Sequence, residues 1–353
     1  MARYGHGRHN NHRGNTMEYR KLAGAGIRVS PICLGTMMFG DRTDEAEAGR
    51  IVAAAREAGV NFIDTADSYA GGASERITGK LIAPDRTRWI LASKVANPQG
   101  SDPNDRGTSR RWLKRSIDLT LGRLGTDYLD IYYMHRDDAD TPLEETVGTL
   151  GELIRDGKIR YIGLSNFRAW RIAAFVATCQ RMGVPAPVIC QPCYNAMDRT
   201  PELELIPSCV HHGLAVVPYS PLARGVLSAK YKPGEAPPPD TRAGRNDKRI
   251  MQTEFRDDSL KLAQAIAQHA QSRGMTAGEF AFNWVLNNRH VTSVVAGPRT
   301  LEQWQGYMGS FKHSFNAADE ALVDQLVAPG HPSTQFYTDP QYPVTGRVPR
   351  TAQ

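Results

Sequence analysis

Asn61-Phe62-Ile63-Asp64-Thr65-Ala66-Asp67-Ser68-Tyr69 is an apolar, β-favouring run that ends abruptly on a carboxylate, Asp64, and passes into a loop carrying a lone tyrosine, Tyr69. A parallel α/β sheet delivers chemistry in this way: the strand holds one group rigidly, and the loop beyond its C-terminal end brings a second group back over it. Two later runs close alike. Arg88-Trp89-Ile90-Leu91-Ala92-Ser93 ends on Lys94, and Asp127-Tyr128-Leu129-Asp130-Ile131-Tyr132-Tyr133-Met134 ends on His135.

Outward from these runs, strands and amphipathic helices alternate. Glu18 to Val29, with glycines at its centre, reads as a β-hairpin. Strands are then expected at Pro31–Thr36, Asn61–Thr65, Arg88–Lys94, Asp127–Met134, Ile159–Ser165, Val188–Gln191, Leu214–Tyr219 and Val291–Ala296. Helical patterns follow at Asp44–Gly59, Ala73–Ile82, Ser109–Leu124, Pro142–Asp156, Arg168–Met182, Pro201–His212, Asp257–Arg273, Thr276–Asn288, Leu301–Phe311 and Ala317–Val327. Eight strand–helix units in a chain of 353 residues have the size of a closed (β/α)₈ TIM barrel, an α/β fold, here with an N-terminal β-hairpin. An open doubly wound sheet would carry GxGxxG after its first strand; this chain has Gly35-Thr36-Met37-Met38-Phe39-Gly40 there.

The expected organisation is a disordered N-terminal extension at residues 1–16, the barrel at 17–330 and a C-terminal tail at 331–353. The long segment from Gly225 to Phe255, with Pro237-Pro238-Pro239, is too extended for an ordinary connection and is expected to be functional or disordered. The tail is Pro-rich yet holds Phe336, Tyr337 and Tyr342, so it is expected to pack across the barrel mouth or against a second subunit.

Composition narrows the function. The net charge of +6 owes three charges to Arg3, Arg8 and Arg13 in an acid-free opening segment, and no basic stripe interleaved with aromatics occurs, so nucleic acid is set aside. His6, His9 and His12 in that segment read as solvated, and no metal site is expected. The segment has no apolar core of a secretory signal and no run approaches a membrane span; the expected address is the cytoplasm. Five cysteines spread over the chain do not form a disulfide framework. Cys190-Gln191-Pro192-Cys193 matches CxxC, but it follows a strand pattern with no helix behind it and lacks further ligands at zinc spacing.

Taken singly, a loop tyrosine, a strand-end lysine and a lone histidine each have an ordinary structural reading. In a parallel barrel, however, all strand C-termini share one face, so Asp64, Lys94 and His135 become neighbours with Tyr69 above them. A buried ammonium favours the phenolate, so Tyr69 is expected to have a lowered pKa, with Asp64 holding Lys94 in place. His135 would be a neutral donor that orients a carbonyl oxygen. The set suits protonating a carbonyl while another group supplies the electrons.

With these residues the chain resembles the aldo-keto reductase superfamily, from about Glu18 to the end of the barrel. The motifs are Asn61–Tyr69, Ala92-Ser93-Lys94, Met134-His135, Gly163-Leu164-Ser165-Asn166-Phe167, Tyr219-Ser220-Pro221-Leu222-Ala223-Arg224-Gly225 and Gly297-Pro298-Arg299-Thr300-Leu301-Glu302-Gln303. The resemblance implies NADPH/NADP⁺ as cofactor, a small-molecule carbonyl substrate, and the tetrad Asp64, Tyr69, Lys94 and His135 with Tyr69 as general acid. It further implies that Ser165, Asn166 and Gln191 hold the nicotinamide carboxamide and that Tyr219 stacks on the ring. Backbone amides of Ser220, Leu222 and Gly225, with Lys230 and Arg242, would meet the pyrophosphate. Arg299 would meet the 2′-phosphate and Gln303 the adenosine, while Gly35, Thr36, Met37, Asp64 and Gly297 complete the cofactor set. Gly306 and Tyr307 stand where the family often has an acid and Asn, so either Tyr307 stacks on the adenine instead or the cofactor binds more weakly.

The substrate pocket is expected from Met37, Phe39, Tyr69, His135, Arg136 and Phe167, suggesting a substrate larger and less polar than a simple sugar. Two alternatives accompany this reading. One is a Schiff-base lyase using Lys94; the other is a non-catalytic NADPH-binding regulatory subunit of a membrane protein, as the chain also resembles potassium-channel β-subunits. A homo-oligomer is left open.

Overall fold

The structure, a computed structural model, describes residues 17–346; the N-terminal extension expected at 1–16 and the last residues of the tail lie outside the described residues. A two-stranded antiparallel hairpin, β1 (Arg20–Lys21) and β2 (Arg28–Val29), comes first. Eight strands then form one parallel sheet: β3 (Ile32–Gly35), β4 (Phe62–Asp64), β5 (Ile90–Val95), β6 (Leu129–Met134), β7 (Ile159–Ser165), β8 (Ile189–Gln191), β9 (Ala215–Val216) and β10 (Val294–Ala296).

Each strand pairs with the next in sequence, and β10 returns to β3, with Val294 opposite Ile32. The remaining seam closes through a parallel bridge between Val216 and Val291, where Thr292 N–H donates to the Val216 carbonyl at 2.9 Å and Val295 N–H to that of Pro218 at 2.9 Å. A full ring leaves no sheet edge exposed.

Helices α1 (Glu45–Glu57), α2 (Ala73–Ile82), α3 (Arg110–Leu124), α4 (Leu143–Arg155), α5 (Ala169–Met182), α6 (Leu205–His211), α7 (Lys248–Gln252), α8 (Asp257–Ser272), α9 (Ala277–Asn287), α10 (Leu301–Gly309) and α11 (Ala317–Leu326) lie outside the sheet. Local chemistry starts them where the sequence suggests. Asp44 accepts from Glu47 N–H ahead of α1, Ser109 caps α3, and reciprocal capping boxes at Thr276/Glu279 and Asn316/Asp319 open α9 and α11. None of the described helices is long and apolar enough to cross a membrane.

Strand periodicity splits the core in two. Ile63, Leu91, Tyr132 and Leu164 face the helices, whereas Cys33, Phe62, Ala92, Ile131, Tyr133 and Ile189 fill the barrel. The hairpin plugs the strand-start end: Leu22, Ala25 and Val29 join that inner cluster, and Gly24 N–H donates to the Gly213 carbonyl at 3.1 Å. Gly163 on β7 makes room for the Tyr133 ring, since a Cβ there would stand 2.4 Å from the ring. The plugged floor leaves the opposite, C-terminal end as the open mouth.

Two segments beyond the regular barrel take defined forms. The long connection after β9 contains α7, opened by the Asp247 carboxylate, and a 3₁₀ segment at Ala223–Ser228. The tail folds back over the mouth: Ser333 N–H donates to the Met197 carbonyl at 2.8 Å, both nitrogens of the Arg249 guanidinium donate to Asp339, and Arg168 donates to the Tyr342 carbonyl at 2.7 Å. Arg256 lies 3.6 Å from the centre of the Tyr337 ring. Phe336 is the exception among the tail aromatics: it stands in the left-handed region at φ 63° and is 90% exposed.

Candidate active site

Asp64, Lys94 and His135 stand at the ends of β4, β5 and β6, and the turn after β4 places Tyr69 over them. Lys94 is completely buried. Its ammonium is shared between the Asp64 carboxylate, the Thr65 carbonyl at 2.8 Å and Tyr69 Oη at 3.2 Å. The second Asp64 oxygen accepts from Gln191 Nε2 at 3.0 Å. The His135 ring meets the Tyr69 ring edge-on, centroids 5.8 Å apart.

Burial works against the Lys94 charge, but the Asp64 carboxylate and Tyr69 more than compensate and hold its pKa above the ordinary lysine value. Burial, helped by the nearby charges of Lys94 and Arg136, pushes His135 well below the usual imidazole range, so the ring is neutral. Tyr69 corrects an expectation. Desolvation of the phenolate outweighs the pull of Lys94, and its pKa is raised above 10, not lowered. The hydroxyl is therefore a firmly protonated donor.

Sequence reasoning missed Asn97. Its Nδ2 lies 3.0 Å from His135 Nδ1 and 3.4 Å from Ser68 Oγ. The sequence signal is slight, an amide three residues beyond Lys94. The backbone reveals more: Ala96 adopts φ 111°, a conformation that non-glycine residues rarely hold and that turns the chain back toward His135.

A second group converges beside the tetrad. Tyr219 Oη donates to Asn166 Oδ1 at 2.8 Å, Asn166 Nδ2 donates to the His135 carbonyl at 2.9 Å and to Ser165 Oγ at 3.0 Å, and Ser165 donates to the Gln191 carbonyl at 2.8 Å. The ends of β6, β7 and β8 are thus tied to Tyr219. Asn166 (φ 59°) and Ser220 (φ 58°) hold left-handed backbone, as do Ala223, Arg224 and Gly225 in the following turn. Strain of this kind clusters at functional loops. The Gly225 amide is not free, because it donates to the Leu222 carbonyl at 2.8 Å within its own turn.

Further round the rim, cations gather. The pKa of Lys230 is lowered by burial and by the charges of Arg299, Arg242 and Arg245. Arg299 and Arg245 both donate to one carbonyl, that of Asp240. Arg242 reaches across the mouth to Met38 Sδ at 3.7 Å. Gln303 Oε1 accepts from the Arg299 amide at 2.8 Å. Such an arrangement of like charges fits a polyanion, and Arg245 is a member the sequence reading did not include.

Several expected contacts lie elsewhere. Phe39 is fully buried in the layer between sheet and helices, and Phe167 packs there edge-on to Phe175, so neither opens onto the mouth. Phe39 shares the parity of inward-facing Cys33 and Phe167 that of inward-facing Tyr161, so it is the turn beyond each strand end, not the alternation of the strand, that swings them into the helix layer. Thr36 is buried, its hydroxyl bonded to Ser74 at 2.9 Å and to the Asp64 carbonyl at 3.1 Å. Met37 stays exposed at the rim, Gly35 and Gly297 lie near the β3 and β10 exits, and Arg136 is half-buried beside His135. Tyr307 packs its ring against Phe282, 5.5 Å between centroids, rather than facing outward beside Gly306. Cys190 faces the helix layer beside Cys209, whereas Cys193 sits past the strand end next to Tyr219.

Comparison with known proteins bears on this geometry. The model of the aldo/keto reductase family matches residues 31–328. An uncharacterized oxidoreductase, YrpG, of Bacillus subtilis is 37% identical over 91% of this chain and 99% of its own. A probable voltage-gated potassium channel subunit beta of Arabidopsis thaliana is 34% identical over 83% and 90% of the two chains, and the L-glyceraldehyde 3-phosphate reductase of Escherichia coli O157:H7 is 30% identical over 89% and 93%. A match that begins at the first barrel strand and ends beyond the last helix encloses every strand that supplies the tetrad, and by it the chain belongs to the aldo/keto reductase family.

Proposed function

We propose that the protein is an NADPH-dependent carbonyl reductase that converts an aldehyde or ketone reversibly to the alcohol, with Tyr69 as general acid. The observation that carries this reading is the buried Lys94 ammonium bridging Asp64 and Tyr69 Oη beside a neutral His135. The names of two relatives, an uncharacterized oxidoreductase and an L-glyceraldehyde 3-phosphate reductase, agree with it.

When bound, NADPH would supply the hydride that reaches the carbonyl carbon. Lys230, Arg242 and Arg299 suit its phosphates, Ser165, Asn166 and Gln191 its carboxamide, and Tyr219 a ring contact. His135 donates to the carbonyl oxygen and fixes its place. As charge builds on that oxygen, Tyr69 gives up its proton, and Lys94 stabilises the phenolate left behind. Asp64 keeps Lys94 charged throughout; water then reprotonates Tyr69. A lysine held in its charged form is a poor amine nucleophile, which argues against the Schiff-base alternative.

Absorbance of NADPH against a panel of aldehydes and ketones, run beside NADH, tests the reading. Tyr69→Phe should lower turnover by about 10²- to 10⁴-fold, the scale of a positioned proton donor, with cofactor binding preserved. Wild-type turnover retained in that variant would refute the assignment. A cofactor-sensing subunit is the second reading, favoured by the 34% identity to potassium channel β-subunits. It requires tight NADPH binding with no carbonyl turnover across the panel.

A further inference from the structure

Apart from the cation cluster of Lys230, Arg242, Arg245 and Arg299, the other arginines named at the rim of the mouth are engaged. Among the described residues, Arg171 pairs with Asp137 at 2.8 Å, Arg224 with Glu254 at 3.0 Å, Arg249 with Asp339, and Arg168 with carbonyls of the folded-back tail. Arg136 differs. It follows His135 directly and is half-buried, yet its guanidinium makes no hydrogen bond or ion pair with any described residue. It lies close enough to the His135 imidazole and to the Tyr342 hydroxyl for its charge to act on both.

A half-buried guanidinium that no side chain or carbonyl engages presents its planar fork of donors to whatever enters beside it, and that fork matches a carboxylate or phosphate. The acids that would neutralise it are already engaged. The walls expected to be apolar, Phe39 and Phe167, are turned into the core, while Tyr69 and Asn97 meet the His135 ring and the Arg136 charge acts on it, so the groups about His135 are polar. Resting on the reductase reading above, we infer that the substrate carries a carboxylate or phosphate a few bonds from its carbonyl, and that Arg136 binds this group while Tyr69 and His135 hold the oxygen. Arg136 is then the residue that sets selectivity.

The test compares matched aldehydes: succinic semialdehyde against butyraldehyde for carboxylate, and glyceraldehyde 3-phosphate against glyceraldehyde for phosphate. In the wild type at least one anionic member should exceed its neutral partner by about 10- to 100-fold in kcat/KM, the range of one charge-assisted contact. Which pair shows the larger ratio identifies the anion. R136Q should collapse that ratio, chiefly through KM, and R136K should restore part of it. Ratios near one in the wild type, or a ratio unaltered in R136Q, would overturn the inference while leaving the reductase reading intact. Calorimetry supplies a readout free of turnover. Succinate or glycerol 3-phosphate added to protein saturated with NADP⁺ should bind to the wild type and lose that affinity in R136Q; equal binding to both proteins also overturns it. No NADPH consumption with any of the four aldehydes would instead count against the parent reading, and the calorimetric comparison would still decide for or against an anion at Arg136.

Discussion

Asn97 Nδ2 donates to Nδ1 of His135 across 3.0 Å, and an amide nitrogen has no other role to offer. Nδ1 must therefore accept, which places the ring proton on Nε2, the nitrogen left to donate to a carbonyl oxygen. Asn97→Asp should reverse this preference, because a carboxylate demands a proton on Nδ1. We expect kcat/KM to fall by about tenfold to a hundredfold, less than for loss of the proton donor itself, and an imidazole titration to move up toward the measurable range. Nitrogen-15 chemical shifts of the His135 ring check the tautomer directly.

The buried pair of Lys94 and Asp64 makes its own forecast. Truncating one partner strands a charge where neither water nor a counter-ion can reach it, at a cost of about 3–5 kcal/mol. Lys94→Met should destabilise the fold by that order in urea titrations. The double variant Lys94→Met with Asp64→Leu should recover much of the stability and none of the turnover. A double variant as unstable as the single one would show that the pair's contribution is packing instead of charge balance.

On the proposed mechanism, Tyr69 sets the alkaline limit of reduction. It donates only while protonated, and its pKa lies above 10 because burial penalises the phenolate more than Lys94 relieves it. Reduction should therefore hold as pH rises through neutrality and decline only beyond the ordinary tyrosine range, whereas alcohol oxidation, which needs the phenolate, should climb with pH. His135 is already neutral, its pKa being well below 6.5, so no acid limb is expected near that value. Steady-state profiles in both directions decide the matter; a reduction limb centred below pH 8 would contradict it.

Asp67 links the site to stability. It is buried beside the Glu75 carboxylate, its Oδ1 has no hydrogen-bond partner, and desolvation together with Glu75 raises its pKa from 3.8 to about 8. Between those values the folded protein keeps a proton that the unfolded chain releases, so its contribution is most favourable below pH 4 and declines as pH rises toward 8. Asp67→Asn should flatten this slope and raise Tm most at alkaline pH. Melting curves from pH 5 to 9 measure it, and parallel curves for the two proteins would exclude the effect.

Residue order alone is enough to read the barrel and to bring four groups to its mouth. Repeated β-favouring runs followed by amphipathic helices admit few topologies, and a parallel barrel gathers all strand C-termini on one face however far apart they lie in the chain. Asp64, Lys94 and His135 could thus be read as neighbours before any distance was known.

Loop conformation and solvent exclusion, by contrast, are settled only by packing. The return of Asn97 to His135 depends on the unusual backbone at Ala96, and the inward turn of Phe39 and Phe167 on the phase of short connections. The tail's place over the mouth rests on pairings, such as Arg249 with Asp339, between segments remote in the chain. The direction of the Tyr69 shift is a contest between burial and a nearby charge. Neither magnitude is written in residue order, since both are fixed only when packing sets how much water remains.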